Sequence, residues 1–151
     1  MHIELTLPEP NLKIKLVNEI TQVFDEVRRK FIVFTPEERV RQYIIHFLRA
    51  YKNYPFSLMK LEHTLKYYKL SCRADVVIYN TFGQPMMMIE CKSPSIKLTR
   101  DVFNQITKYN FDLKVPYLLV SNGIEHFCCH IDYDNNKINF LNDIPSFDSL
   151  N

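Results

Sequence analysis

Apolar positions along this chain follow two rhythms. Between residues 35 and 52 they recur at helical spacing, with Val40, Tyr43, Ile44, Phe47, Leu48 and Tyr51 on one stripe. Thr35 suits the N-cap, Pro36 the first helical position and Glu38 the acid position of a capping box. Asn53-Tyr54-Pro55 ends that helix. A second helix is predicted from a cap at Thr99 to about Asn110, with Val102, Ile106, Tyr109 and Leu113 inward. Elsewhere, short apolar runs between turn signals predict strands. They cover residues 58–70, where Leu61, Thr64, Leu65 and Tyr67 are candidate buried positions. Further strands fall at 73–79 and 85–92 around a turn at 81–84, then at 115–120, 124–131 and 137–141. Residues 12–34 fit two patterns. Val17, Ile20, Val23, Phe24 and Val27 have helical spacing, yet 22–24 and 31–34 also fit a strand pair around the charged segment 25–30. The strand pair is the preferred expectation.

The resulting order is helix, three strands, helix, strand and terminal hairpin. A strand–helix–strand unit over 86–120 requires a crossover, so the sheet should be mixed and covered by helices. The 151 residues form one expected domain, with a core over about 20–141, a lead-in containing Pro8 and Pro10, and a loose tail after Pro145.

Composition narrows the chemistry. Two glycines in the whole chain cannot build a phosphate-binding P-loop or a dinucleotide turn, so nucleotide motors and dinucleotide enzymes are excluded. A net charge of +2 permits nucleic acid without demanding it. The basic clusters are Arg28-Arg29-Lys30, the lysines at 60, 66 and 69, and Lys97 with Arg100. Each reads first as a solvated surface. No apolar run reaches membrane-spanning length. Four cysteines, two of them vicinal, fit a reducing cytoplasm better than a disulfide framework.

The sharpest chemical signal is Asp75, within Arg73-Ala74-Asp75, followed one turn later by Glu90-Cys91-Lys92. Side chains alternate along a strand, so Glu90 and Lys92 leave one face and Cys91 the other. If the two strands pair, Asp75 lies beside them. Their neighbours are almost all apolar, and charges in such a setting call for a partner or a metal. Two acids can hold a hard divalent cation through oxygen, while a lysine orients water and stabilises phosphate charge.

In this order the motifs resemble the PD-(D/E)XK nuclease superfamily. More narrowly, several motifs resemble the N-terminal nuclease domain of type I restriction enzyme R subunits. These are Thr35-Pro36-Glu37-Glu38-x-Val40-Arg41-Gln42, Arg73-Ala74-Asp75, Ile89-Glu90-Cys91-Lys92-Ser93-Pro94, Val102-Phe103-Asn104-Gln105-Ile106-x-x-Tyr109-Asn110 and Val115-Pro116-Tyr117. The resemblance runs over about residues 20–140. It implies an α/β, restriction-endonuclease-like mixed sheet flanked by helices, with a four-stranded core and a C-terminal β-hairpin. It also implies Mg²⁺-dependent DNA cleavage, with Mn²⁺ able to substitute. Asp75 and Glu90 would bind the metal and Lys92 would serve the attacking water. Gln105 and Tyr109 match a Gln-x-x-x-Tyr element and would touch DNA or steady the lysine; Tyr109 equally fits the apolar stripe. The first helix should add an acid. Glu37, at the edge of the inward stripe, is preferred over Glu38, which is expected to point away and to cap. Ala74 replaces a proline that varies in the superfamily. The ATP-driven motor and the sequence specificity of R-subunit enzymes lie in other domains or subunits and are not carried over. Implied partners are DNA and a separate motor or specificity protein, with no membrane. The alternative is a catalytically silent module that binds nucleic acid or protein on the same fold.

His126, Cys128, Cys129 and His130 suggest a zinc site, but alternation sets Cys129 apart from the other three. No second ligand pair has zinc spacing, so packed cysteines are expected instead.

Overall fold

A computed structural model describes residues 3–67 and 70–150, except for the side chains of 67–72 and 109–112. Three short strands come first: β1 (Ile14–Val17), β2 (Ile20–Asp25) and β3 (Lys30–Val33), paired as an antiparallel meander. Helix α1 (Pro36–Lys52) follows. The main sheet then holds β4 (Met59–Tyr67), β5 (Leu70–Tyr79), β6 (Pro85–Cys91), β7 (Tyr117–Ser121), β8 (His126–Asp132) and β9 (Lys137–Leu141), neighbours in space as in sequence. Helix α2 (Arg100–Leu113) makes the crossover between β6 and β7, the parallel pair; the other pairs are antiparallel.

Each helix covers one face of the six-stranded sheet. Val40, Ile44, Ile45 and Leu48 of α1 pack on Val76, Ile78, Met87, Ile89, Leu119 and Cys128. Ala74, Val77, Met88, Leu118, Val120, Cys129 and Ile131 form the opposite layer, against Phe103, Ile106 and Leu113. Ile44, Ile45 and Leu48 are fully buried, and each contributes roughly 1.5–3 kcal/mol by that burial. Packing on this scale outweighs the helix propensity of a sequence containing several β-branched and aromatic residues.

Local chemistry ends the elements where expected. The Thr35 hydroxyl accepts from the Glu38 amide, and Asn53 terminates α1 in the left-handed region at φ 63°. Asn80 builds the β5–β6 turn, its side-chain oxygen accepting from the Phe82 and Gln84 amides.

The preferred strand pair at 22–24 and 31–34 is β2 and β3, and an unanticipated β1 adds a third strand. Several expectations are corrected. Thr64 is exposed and Leu61 and Leu65 only half-buried, because β4 is an edge strand. The expected burial of Tyr67 lies outside the described side chains. Tyr51 is 60% exposed at the end of its stripe. Helix α2 runs to Leu113 rather than stopping near Asn110. The main sheet itself has the expected make-up, four core strands β4 to β7 extended by the hairpin β8–β9. The described segments near both ends are docked on the core. Leu5 is buried and Thr6 bonds to Gly123 and Ile124. Leu150 is also buried, and the Tyr54 hydroxyl donates to Pro145 O. Gly123 has φ 87°, and a Cβ there would come within 2.7 Å of Leu5, so the N-terminal segment docks where a side chain is missing.

Candidate active site

The β5–β6 ladder runs through Val76↔Ile89, and the next positions along it are Asp75 and Glu90. Ile89 and Cys91 belong to the α1-side core, which leaves Glu90 on the opposite side of its strand. On β5 the alternation is interrupted at Asp75: Ala74 packs with the α2-side layer, whereas Val76 packs with the α1-side layer. Across the pair, Glu62 has φ 49° and falls between the paired residues Leu61 and His63. This kink frees the Asp75 carboxylate to turn toward β6, where its Oδ2 accepts from the Cys91 amide at 2.7 Å. Lys92 follows at the end of β6, its amide donating to Ser121 O on β7 at 2.8 Å.

The electrostatics tie Asp75, Glu90, Lys92 and Glu37 into one cluster. Burial first, then the Asp75 charge and a hydrogen bond to Asp75, push the Glu90 carboxyl up to about 8, against the opposing pull of Lys92. Glu37 stands exposed at the start of α1. Its carboxyl is also raised, first by partial desolvation and then by Asp75, while Arg41 and Lys92 oppose the shift. Glu38, on the next position, does not point away. It is buried, and its carboxylate accepts from Arg28, Arg41 and Gln42 at 2.8, 3.0 and 3.2 Å. Only half of the capping box forms, since Thr35 N donates to Val33 O instead of to Glu38. Gln105 is exposed on α2, with no bond to these acids among the described residues; the Tyr109 side chain lies outside them.

Arg41 is a site residue that sequence reasoning passed over, although it stands within the quoted helix motif. It is 5% exposed. Its Nη1 donates to the Asp75 carbonyl at 3.4 Å and lies 3.9 Å from Asp75 Oδ1. Its other donors face Glu38 and Glu62. Arg28 joins the same network through Asp25, Glu38 and Glu62, so it is not the solvated cation its cluster suggested. Beside this network a cleft of about 590 Å³ opens, lined by Lys30, Glu37, Arg41, Glu62 and Ser93 among others.

The Asp75 and Glu90 carboxyls would offer hard oxygen donors to a cation such as Mg²⁺, which keeps most of its waters and needs only one or two protein acids. Among the described residues no three acid, histidine or cysteine side chains close on one point, so Glu37 stays outside the Asp75/Glu90 pair while sensing its charge. His126, Cys128, Cys129 and His130 do not converge. His126 bonds to Ser121 and Thr6, His130 packs on Tyr117, and the two cysteines enter opposite core layers.

Comparison with known proteins bears on what this arrangement is. A family described as the type I restriction enzyme R protein N terminus matches residues 36–145. The chain belongs to that family. The matched segment begins at the first residue of α1 and extends past β9, so it contains all four clustered residues. The fold is also similar to a fragment assigned to an HsdR subunit of a type I restriction enzyme from Vibrio vulnificus YJ016, at TM-score 0.54 and 22% identity. That likeness covers 78% of this chain and 24% of the other, so the chain spans about a quarter of the structure it matches. No curated protein matches the chain. No helix among the described residues is long and apolar enough to cross a membrane.

The raised Glu90 has a thermodynamic consequence. Between its ordinary range near 4.5 and about 8 the folded protein keeps a proton that the unfolded chain has lost. The unfolded state therefore binds fewer protons, and stability falls as pH rises through that window. In metal-free protein, Glu90→Gln is expected to raise the melting temperature at pH 8 and to flatten this decline. Thermal scans of both proteins from pH 5 to pH 8 check it, and parallel curves would refute it.

Proposed function

We propose that this domain is a metal-dependent deoxyribonuclease that hydrolyses DNA phosphodiesters. The observation that carries the reading is the convergence of the Asp75 and Glu90 carboxyls next to Lys92, with Glu37 within electrostatic reach. Asp75 and Glu90 would hold Mg²⁺ or Mn²⁺, which when bound supplies Lewis acidity to the phosphate and lowers the pKa of water.

The chain's own residues do the rest. Cys91 N–H and Arg41 hold Asp75 in one orientation, so little reorganisation is needed when DNA arrives. Lys92 would orient the attacking water and offset charge that builds on a phosphate oxygen. Glu37, its carboxyl already raised, is suited to receive the water's proton. Gln105 and Tyr109 on α2 are proposed to touch DNA or steady the lysine. DNA is the proposed substrate. Motor or specificity proteins are proposed partners, in line with the family's description and the short span of this chain against its structural match. A cytoplasmic location fits a DNA substrate.

Supercoiled plasmid incubated with purified protein is expected to be nicked or cut with Mg²⁺ or Mn²⁺ and left intact with EDTA. Plasmid bound but uncut with either metal would replace this reading with the silent binding module.

A further inference from the structure

Away from the acids, on the α2 side of the sheet, a cavity of about 470 Å³ lies between the start of α2 and the β8–β9 hairpin. Its walls are aromatic: Phe103, Phe127 and Phe140, with Arg100 and Asn104 at the polar side. Phe140 is 60% exposed and Phe127 36%, so the concavity presents apolar ring surface to solvent. Phe103 and Phe140 stand with ring centroids 5.1 Å apart, giving the cavity a preformed aromatic wall. The lining contains a cation and no carboxylate among the described residues, and Lys97 is exposed on the loop just before it.

The cavity and the acids share one frame. Glu90 pairs with Val120, and Val120 pairs with Phe127, so the three lie in a single row across β6, β7 and β8. Cys128 enters the α1-side layer and Cys129 the α2-side layer, so alternation puts Phe127 on the α2 side; Val120 belongs there too, and so does Glu90 by alternation with Ile89 and Cys91. Two strand spacings separate Glu90 from Phe127, about 10 Å. That is roughly three base steps of a DNA strand, or fewer for an extended one.

We propose that this cavity binds an unstacked nucleobase of the DNA strand whose backbone crosses the acid cluster. The preferred substrate would then be a duplex with an adjoining unpaired segment. Aromatic faces accept any base by stacking, the Asn104 amide can bond a base edge, and Arg100 with Lys97 can meet the flanking phosphates. The inference rests on the nuclease reading for the course of the strand, but its test reads binding alone.

The test uses the full chain with EDTA, so that no strand is cut. Its probes are a blunt duplex and the same duplex carrying a short 3′ tail with 2-aminopurine in it. The tailed duplex is expected to bind about tenfold tighter, with 2-aminopurine emission falling on binding. Phe140→Ser, at an exposed position, is expected to remove the preference and the quenching while leaving the melting temperature and blunt-duplex affinity unchanged. Phe127→Ala is expected to do the same to the preference. Equal affinity for both duplexes, or a preference that survives both substitutions, overturns the proposal. So does self-association of the wild type that Phe140→Ser breaks, because the aromatic wall would then be a protein interface. Tail preference without metal-dependent cutting of the tailed duplex keeps the cavity and rejects the nuclease reading; cutting without tail preference does the reverse.

Discussion

Replacing Lys92 with alanine is expected to cut metal-dependent DNA cleavage at least about 100-fold, the scale of losing one preorganised charge-stabilising group. Asp75→Asn should do the same. Asparagine keeps the size of the aspartate and a carbonyl oxygen for the Cys91 amide, so the turn toward β6 survives while one of the two metal-binding charges is lost. Asp75→Ala removes that acceptor as well and leaves the buried Cys91 N–H unpaired, at a cost of about 1–3 kcal/mol. It is therefore the less clean of the two tests. Cleavage rates with Mg²⁺, read beside melting temperatures, separate lost chemistry from lost fold. Wild-type rates in both Lys92→Ala and Asp75→Asn would remove the assignment.

The largest effect on stability is expected one residue from the site. Glu38→Ala should destabilise the domain by about 3–5 kcal/mol, because it removes one partner from a buried charge network. Arg41, itself 5% exposed, would keep only longer contacts, 3.4 Å to the Asp75 carbonyl, 3.6 Å to Glu62 and 3.9 Å to the Asp75 carboxylate. Arg28 would lose a 2.8 Å bond as well. By contrast, Glu37→Ala, at an exposed position, should change stability by no more than about 0.5 kcal/mol. Urea unfolding of the two variants measures the difference directly. Similar midpoints would mean that the Glu38 network is solvated and weak. The pair also separates two roles: Glu38 for architecture, Glu37 for chemistry.

Neighbouring glutamates with opposite fates show where sequence reasoning reaches and where it stops. The position of α1 was readable because a cap, a proline and an apolar stripe agree locally. The inward turn of Glu38 was not readable. Its partners come from the β2–β3 turn and, through Arg28 and Arg41, from Glu62 on β4, so the reason for its burial lies in tertiary contacts. Arg41 was hidden for the same cause: an arginine on a helix reads as solvated until an acid from another element meets it. The paired strands carrying Asp75 and Glu90 were readable from alternation and turn residues. The kink at Asp75 was not, since it depends on a left-handed residue in the neighbouring strand. The chain ends looked loose for want of apolar periodicity, yet single anchors, Leu5 beside Gly123 and Leu150 beneath the C-terminal turn, are enough to dock them.

Cys128 and Cys129 are adjacent in the chain, yet their thiols are buried in opposite layers of the core. An alkylating reagent can reach the first only when the α1-side layer opens and the second only when the α2-side layer opens. The domain thus carries a built-in pair of reporters, one for each side of its interior, and their separate labelling rates distinguish opening of one layer from global unfolding.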